Sequence, residues 1–180
     1  MQKTAFLIVI LVSFLVPSVS TATIIDYTLT RIGGSTYRYD YSVTNDGSLG
    51  AGTNVKLFDI AFDPAKYDES SLKIVSPGNL AANWQQSILA SAPGVPADYD
   101  VLALSGGISG KQAGFAVQFD WIGGPAGPAP QTFAIYDPVK FNVLEKGQCR
   151  PCPVPAPGPV GLLLSGLAAL IPVGGRFRRI

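Results

Sequence analysis

The sequence predicts an all-β domain, an antiparallel β-sandwich framed by two apolar ends. Three observations predict it. Apolar and polar residues alternate with period two in several short runs. Twenty glycines and fifteen prolines punctuate the chain. Between the ends, no stretch carries a convincing helical period.

The elements follow in order. Ile25, Tyr27 and Leu29 open the domain on one strand face. Tyr37, Tyr39, Tyr41 and Val43 alternate with Thr36, Arg38, Asp40, Ser42 and Thr44, which buries one face of a second strand. Asn45-Asp46-Gly47-Ser48 then supplies a turn, because Asn and Gly tolerate positive φ. Phe58, Ile60 and Phe62 line a third strand that Asp63-Pro64 ends. Glu69 to Val75 is expected to hold a short helical turn, and Ser76 to Pro96 a long loop carrying Trp84. A strand is expected near Tyr99 to Leu104, followed by a glycine-rich turn at Ser105 to Gly110. Phe115, Val117, Phe119 and Trp121 alternate with Ala116, Gln118 and Asp120, and Ile122 to Pro130 forms a Gly/Pro/Ala loop. Phe133 and Ile135, then Phe141 and Val143, close the domain around Asp137-Pro138. About seven to nine short strands with these turns fit an Ig-like antiparallel sandwich.

The two ends have a different composition. Lys3 precedes an aliphatic and aromatic run from Ala5 to Val16; Pro17 and the small residues Ser18 to Ala22 follow. This is the layout of a secretory signal peptide, residues 1–22, cleaved after Ala22; cleavage after Ser20 and an uncleaved membrane anchor are the alternatives. At the other end, an apolar run from Val160 to Val173 precedes Arg176, Arg178 and Arg179. About 14 residues at 1.5 Å each span roughly 21 Å as a helix, short of the ~30 Å hydrocarbon core. Bilayer thinning and arginine snorkelling allow such a segment to cross as a weak, temporary anchor. The basic cluster acts as a stop-transfer lock on the cytoplasmic side.

The stretch Val154-Pro155-Ala156-Pro157, the Leu/Gly/Ala-rich helix after it and the terminal arginines, paired with a signal peptide, resemble the PEP-CTERM sorting signal. The resemblance covers about 27 of the 180 residues, and Ala156 stands where the family's motif carries Glu. It implies export in a Gram-negative bacterium and a transient hold in the inner membrane. It also implies processing by the membrane enzyme exosortase near Val154 to Pro157, with delivery to the cell surface or extracellular matrix. Proteins of this family are commonly associated with exopolysaccharide and biofilm. Ala103 to Ile108 and Phe133 to Pro138 also look like segments of other such proteins.

Four segments follow: signal peptide 1–22, ectodomain 23–147, proline-rich linker 148–159 and transmembrane tail 160–180. The whole chain carries +1. Lys3 and three arginines lie in the removable ends, so nine basic residues face twelve acidic ones in the mature domain, near −3. A mildly acidic surface without a basic stripe argues against nucleic acid.

There is no histidine. Its absence removes Ser-His-Asp triads, Cys-His pairs and every His-ligated zinc or copper site. No phosphate-binding or dinucleotide fingerprint and no nucleophile elbow appears, so no cofactor and no metal is expected. A glycosidase built on two carboxylates needs no histidine, but the only glutamates, Glu69 and Glu145, sit in no recognisable constellation. Asp98 and Asp100 flank Tyr99 and share a face if that stretch is extended. Such a pair binds a cation, raises one pKa, or simply forms a solvated strand face. Asp46, Asp63 and Asp68 read as turn and capping residues.

Cys149 and Cys152 sit in a C-x-x-C. No helix follows to lower a thiol pKa, so a small-loop disulfide is the plain reading outside the cell. Redox activity and intermolecular cross-linking are the alternatives. Trp84 is a candidate glycan contact, because an aromatic face stacks on a sugar ring; Trp121 belongs to the core. The expected function is therefore a non-enzymatic surface or matrix protein. The alternatives are a carbohydrate-binding module held in the polysaccharide and, behind it, a carboxylate-only glycan hydrolase.

Overall fold

The computed structural model describes residues 23–152. The expected signal peptide, and the sorting motif, apolar segment and basic cluster beyond residue 152, lie outside the described residues. Ten strands form two five-stranded sheets: β1 (Ile24–Gly33), β2 (Thr36–Thr44), β3 (Leu57–Phe62), β4 (Tyr67–Ile74), β5 (Trp84–Leu89), β6 (Ala97–Ala103), β7 (Lys111–Trp121), β8 (Thr132–Tyr136), β9 (Val143–Gln148) and β10 (Arg150–Pro151). The described residues contain no helix. The first sheet has the order β10-β1-β2-β7-β4 and the second β5-β6-β3-β8-β9. Every strand pair is antiparallel except β1 with β10.

The alternation in the sequence becomes a shared core. Tyr39, Tyr41 and Phe119 of the first sheet and Phe58, Ile60 and Phe62 of the second are all essentially inaccessible to solvent. Rings meet across the two sheets: Phe58 lies edge-on to Phe115 at 5.3 Å, and Tyr39 to Phe62 at 6.4 Å. Within the first sheet Tyr39 stacks on Phe119 at 5.0 Å. Each such pair adds about 0.5–1.5 kcal/mol beyond the apolar area it buries. The tyrosine hydroxyls are used at one end of the core, where Tyr39 and Tyr67 both donate to the Ala129 carbonyl, at 2.8 and 3.2 Å. That contact seals the Gly/Pro/Ala loop onto the core. Gly107 (φ +85°) packs where any side chain is excluded, since a Cβ there would lie 2.7 Å from the Val55 carbonyl.

Four expectations need correction. Glu69 to Ile74 lies in strand β4, not in a helical turn. Its register slips between Asp68 and Lys73, where Asp68 accepts from Ser70 N–H and the Ser71 hydroxyl accepts from Asp120 N–H. Short polar side chains bonding the backbone locally hide the period-two signal. The expected long loop contains β5, whose inward Gln86 accepts from the Tyr99 hydroxyl and so breaks the apolar alternation. Phe141 is not on a strand; it sits in the β8–β9 turn at φ 54°.

The linker also starts later than expected. Cys149, Arg150, Pro151 and Cys152 belong to the domain: Cys149 N–H bonds the Gln131 carbonyl, and Cys152 N–H bonds the Tyr27 carbonyl. The chain thus steps from β9 in the second sheet to β10 in the first, tying the two together along one edge. Beside it, Glu145 accepts from Thr23 N–H at 3.2 Å, which fixes the start of the domain to β9.

Candidate functional site

The outer face of the second sheet is the most chemically distinctive surface. Strand alternation turns Phe58, Ile60, Tyr99 and Val101 inward. The residues between them, Asp59 on β3 and Asp98 and Asp100 on β6, therefore face out on one side. Antiparallel register sets Asp59 directly opposite Asp100, and Ala61 opposite Asp98. The row through Asp59 continues to Ser87 on β5 in one direction and to Ala134 and Lys146 in the other.

Two grooves meet at this row. One, of about 340 Å³, is lined by Leu57, Leu89, Leu102, Phe141, Tyr136 and the two facing acids. The other, of about 440 Å³, runs past Asp98 and Val95 toward Lys146, sharing Asp59 and Tyr136. Asp59 Oδ1 is buried and makes no hydrogen bond within the protein. Burial first, then the hydrogen-bonded Asp100 carboxyl and the charge of Asp98, push the Asp59 pKa up to about 7. Burial also raises Asp98 and Asp100. Tyr136 is raised by burial and by the Asp59 charge.

Phe141 stands at the rim with 69% of its surface exposed. Its turn is tightly held: Asp137 accepts from Val139 and Lys140 N–H through its carboxylate and from Phe141 N–H through its carbonyl. The left-handed backbone at a bulky residue costs on the order of 1–3 kcal/mol, so the surrounding bonds fix it. An acidic floor under an apolar, aromatic wall can accept hydrogen bonds from hydroxyls or ammonium groups while stacking an apolar face.

The expected site residues are placed as follows. Asp98 and Asp100 do share a face. Trp84, the expected glycan contact, is 5% exposed and lies edge-on to Phe115 at 5.2 Å, so its ring faces the core and not a ligand. Cys149 and Cys152 are free thiols. Cys149 is buried, its pKa pushed up to about 12 by burial, while Cys152 is exposed. The expected disulfide between them is not formed. Val154, Pro155, Ala156, Pro157, Arg176, Arg178 and Arg179 lie outside the described residues.

Asp46, Asp63 and Asp68 cap turns, as expected, each accepting from a backbone N–H two residues on. Glu69 accepts from Ser91, and Glu145 from Thr23 and Ser48. Among the described residues no group of three His, Cys, Asp or Glu side chains is placed to hold a metal ion. Sequence reasoning missed Asp59, Tyr136 and Phe141. The first carried a signal, an acid between two buried apolar residues, but nothing in the sequence says which strand lies beside it.

No family model matches this chain, and no curated protein matches it significantly. Two solved structures of a GH20 exo-β-N-acetylglucosaminidase from Vibrio harveyi are similar at 13% identity, with TM-scores of 0.34 and 0.35. One is a complex with N-acetylglucosamine and the other an inactive mutant; each match covers 74% of this chain and 18% of that enzyme.

Proposed function

We propose that this chain is an exported, non-enzymatic surface or matrix protein of a Gram-negative bacterium. In this reading an Ig-like domain is delivered across the inner membrane, held by its C-terminal segment and processed at Val154 to Pro157 by an exosortase-type enzyme. One observation carries the reading: β1 pairs with β10, so the folded residues close on themselves between the two signals. Thr23 follows the expected cleavage point directly, and among the described residues Cys152 N–H, two residues before the expected sorting motif, still bonds the Tyr27 carbonyl.

The strand order supports the Ig-like assignment. Without the β5–β6 hairpin and β10, the sheets read β1-β2-β7-β4 and β9-β8-β3. That is the ABED and GFC order of a constant-type immunoglobulin sandwich, with a hairpin added beside strand C. The non-enzymatic reading draws on the acids. Both glutamates are committed to backbone N–H groups, and Asp59 and Asp100 bond each other. The carboxyl pairs of glycosidases stand about 5–9.5 Å apart to admit the scissile bond.

Fractionation of cells expressing the whole chain or one lacking residues 154–180, with intact mass of the extracellular form, tests the sorting claim. The expected result is a surface or matrix form beginning at Thr23 and ending near the motif, lost or redistributed on truncation. Equal distribution of the two chains, or an external form that keeps Ile180, overturns it.

The groove beside Phe141 favours a second reading, a carbohydrate-binding module that retains the protein in exopolysaccharide. A pull-down on matrix polysaccharide, comparing the wild-type protein with Phe141→Ala, tests it; no retention on any matrix polymer removes it.

A further inference from the structure

One edge of the first sheet is only partly covered. β10 pairs with β1 at Asp26 and Tyr27, although β1 runs on to Gly33. Cys152 N–H bonds the Tyr27 carbonyl, so Tyr27 turns its backbone groups toward this edge. Strand backbones alternate, so Leu29 and Arg31 turn the same way, while Thr28 and Thr30 face β2. Among the described residues no strand lies beside Leu29 or Arg31 on that side, and Thr30 to Gly33 are exposed. An open edge of this kind is a template for another strand.

The chain that leaves Cys152 has the matching pattern. It runs parallel to β1, and Pro151, Pro153, Pro155 and Pro157 occupy every second position. Continuing the established register sets residues 152–156 beside Thr28 to Ile32, as far as the slip between Arg31 and Gly33. In that register the N–H groups of Val154 and Ala156, like that of Cys152, turn toward β1 and meet the Leu29 and Arg31 carbonyls. The prolines, which have no N–H, fall at the positions that turn away. The ladder therefore loses no donor, and its new outer edge offers none to a further strand. A shift by one residue would set the prolines against β1 and forbid the pairing.

We infer that residues 153–156 extend β10 along β1, so that the expected sorting motif is held on the edge of the first sheet. Tethering favours this occupant over a second copy of the chain. The segment starts directly after an existing bond, at a roughly millimolar effective concentration. A processing enzyme then meets a motif whose amides are tied into a ladder, and acts only after the strand peels away. That consequence rests on the sorting reading; the pairing itself does not.

The test is amide hydrogen exchange, followed by NMR, on the full chain in mild detergent. The exchange-defining variant is Val154→Pro with Pro155→Val, which keeps the composition but turns a proline ring toward β1. Leu29 and Arg31 amides are expected to exchange at least about tenfold faster in it, the scale of one net hydrogen bond. Core amides such as those of Tyr39 and Val117 are expected to keep their protection, which establishes that the variant is folded. Equal exchange at Leu29 and Arg31 in the two chains overturns the inference. Protection that fades on dilution also overturns it, because a second copy then covers the edge. In cells, Arg31→Pro leaves the motif intact and removes an N–H that faces the free edge, not β2. It is expected to speed appearance of the processed form; unchanged processing removes the gating consequence. If fractionation defeats the sorting reading, slow exchange at Leu29 and Arg31 still upholds the pairing.

Discussion

The two sheets share one core but treat their outward charges in opposite ways. On the first sheet Asp40 pairs with Arg38 at 2.8 Å, Asp26 with Arg150 at 3.4 Å, and Asp120 takes a hydrogen bond from Thr36. On the second, three aspartates stand together with no cation in contact. Like charges directly opposite on paired strands are destabilising. The first sheet's outward aspartates have partners of their own, whereas on the second Asp59 is held against Asp100 and keeps a proton up to about pH 7.

The largest way to break this comparison acts where the sheets are alike. Phe119→Ala empties a ring site packed against Tyr39, Phe62 and Tyr67, and is expected to cost about 3–5 kcal/mol by chemical denaturation. Unfolding of both sheets in one transition would confirm that they share a core; a separate second-sheet transition would break that claim.

Next comes pH. Asp59 holds its proton to about 7 when folded, against an ordinary value of 3.8. Between those values the native state keeps a proton that the unfolded chain has lost, so stability falls as pH rises through this window and levels off above it. Urea midpoints measured across the range should show the fall, and Asp59→Asn should flatten it. A flat wild-type profile would mean the acids are not strained.

A smaller effect gives the clearest contrast between the sheets. Asp100→Asn removes a like charge and is expected to raise the melting temperature at neutral pH. Asp40→Asn breaks an exposed ion pair and is expected to lower stability by about 0.2–1 kcal/mol. Two substitutions of one kind should thus have opposite signs on opposite sheets; the same sign for both would dissolve the distinction. Smallest of all, thiol labelling of the folded protein should modify Cys152 and spare Cys149 until denaturant is added.

How much of this the sequence discloses depends on what kind of fact is at issue. The alternation of Tyr39 and Tyr41, or Phe115 to Phe119, is a property of one strand and is visible in one strand's residues. The turn aspartates are equally local. β5 and β4 escape notice because inward Gln86 and the Asp68 to Ser71 run spend their polarity on partners elsewhere, which spoils the period. The two residues of β10 are too few to show any period, and Pro151 imitates a linker. The groove was out of reach for a different reason. Asp59, Asp100 and Tyr136 become neighbours only through the order β6-β3-β8, and that order is settled by packing and not by any one segment.

The parallel pairing of β1 with β10 has a mechanical consequence. The domain's first strand and its last point the same way, joined at Asp26 with Arg150 and Tyr27 with Pro151. Tension applied between the two ends therefore slides these strands past one another and loads their bonds together, in shear, instead of peeling them open singly. A protein hauled by its tail would resist through this short clasp first, and once it slipped, Cys149 would be drawn out of the interior.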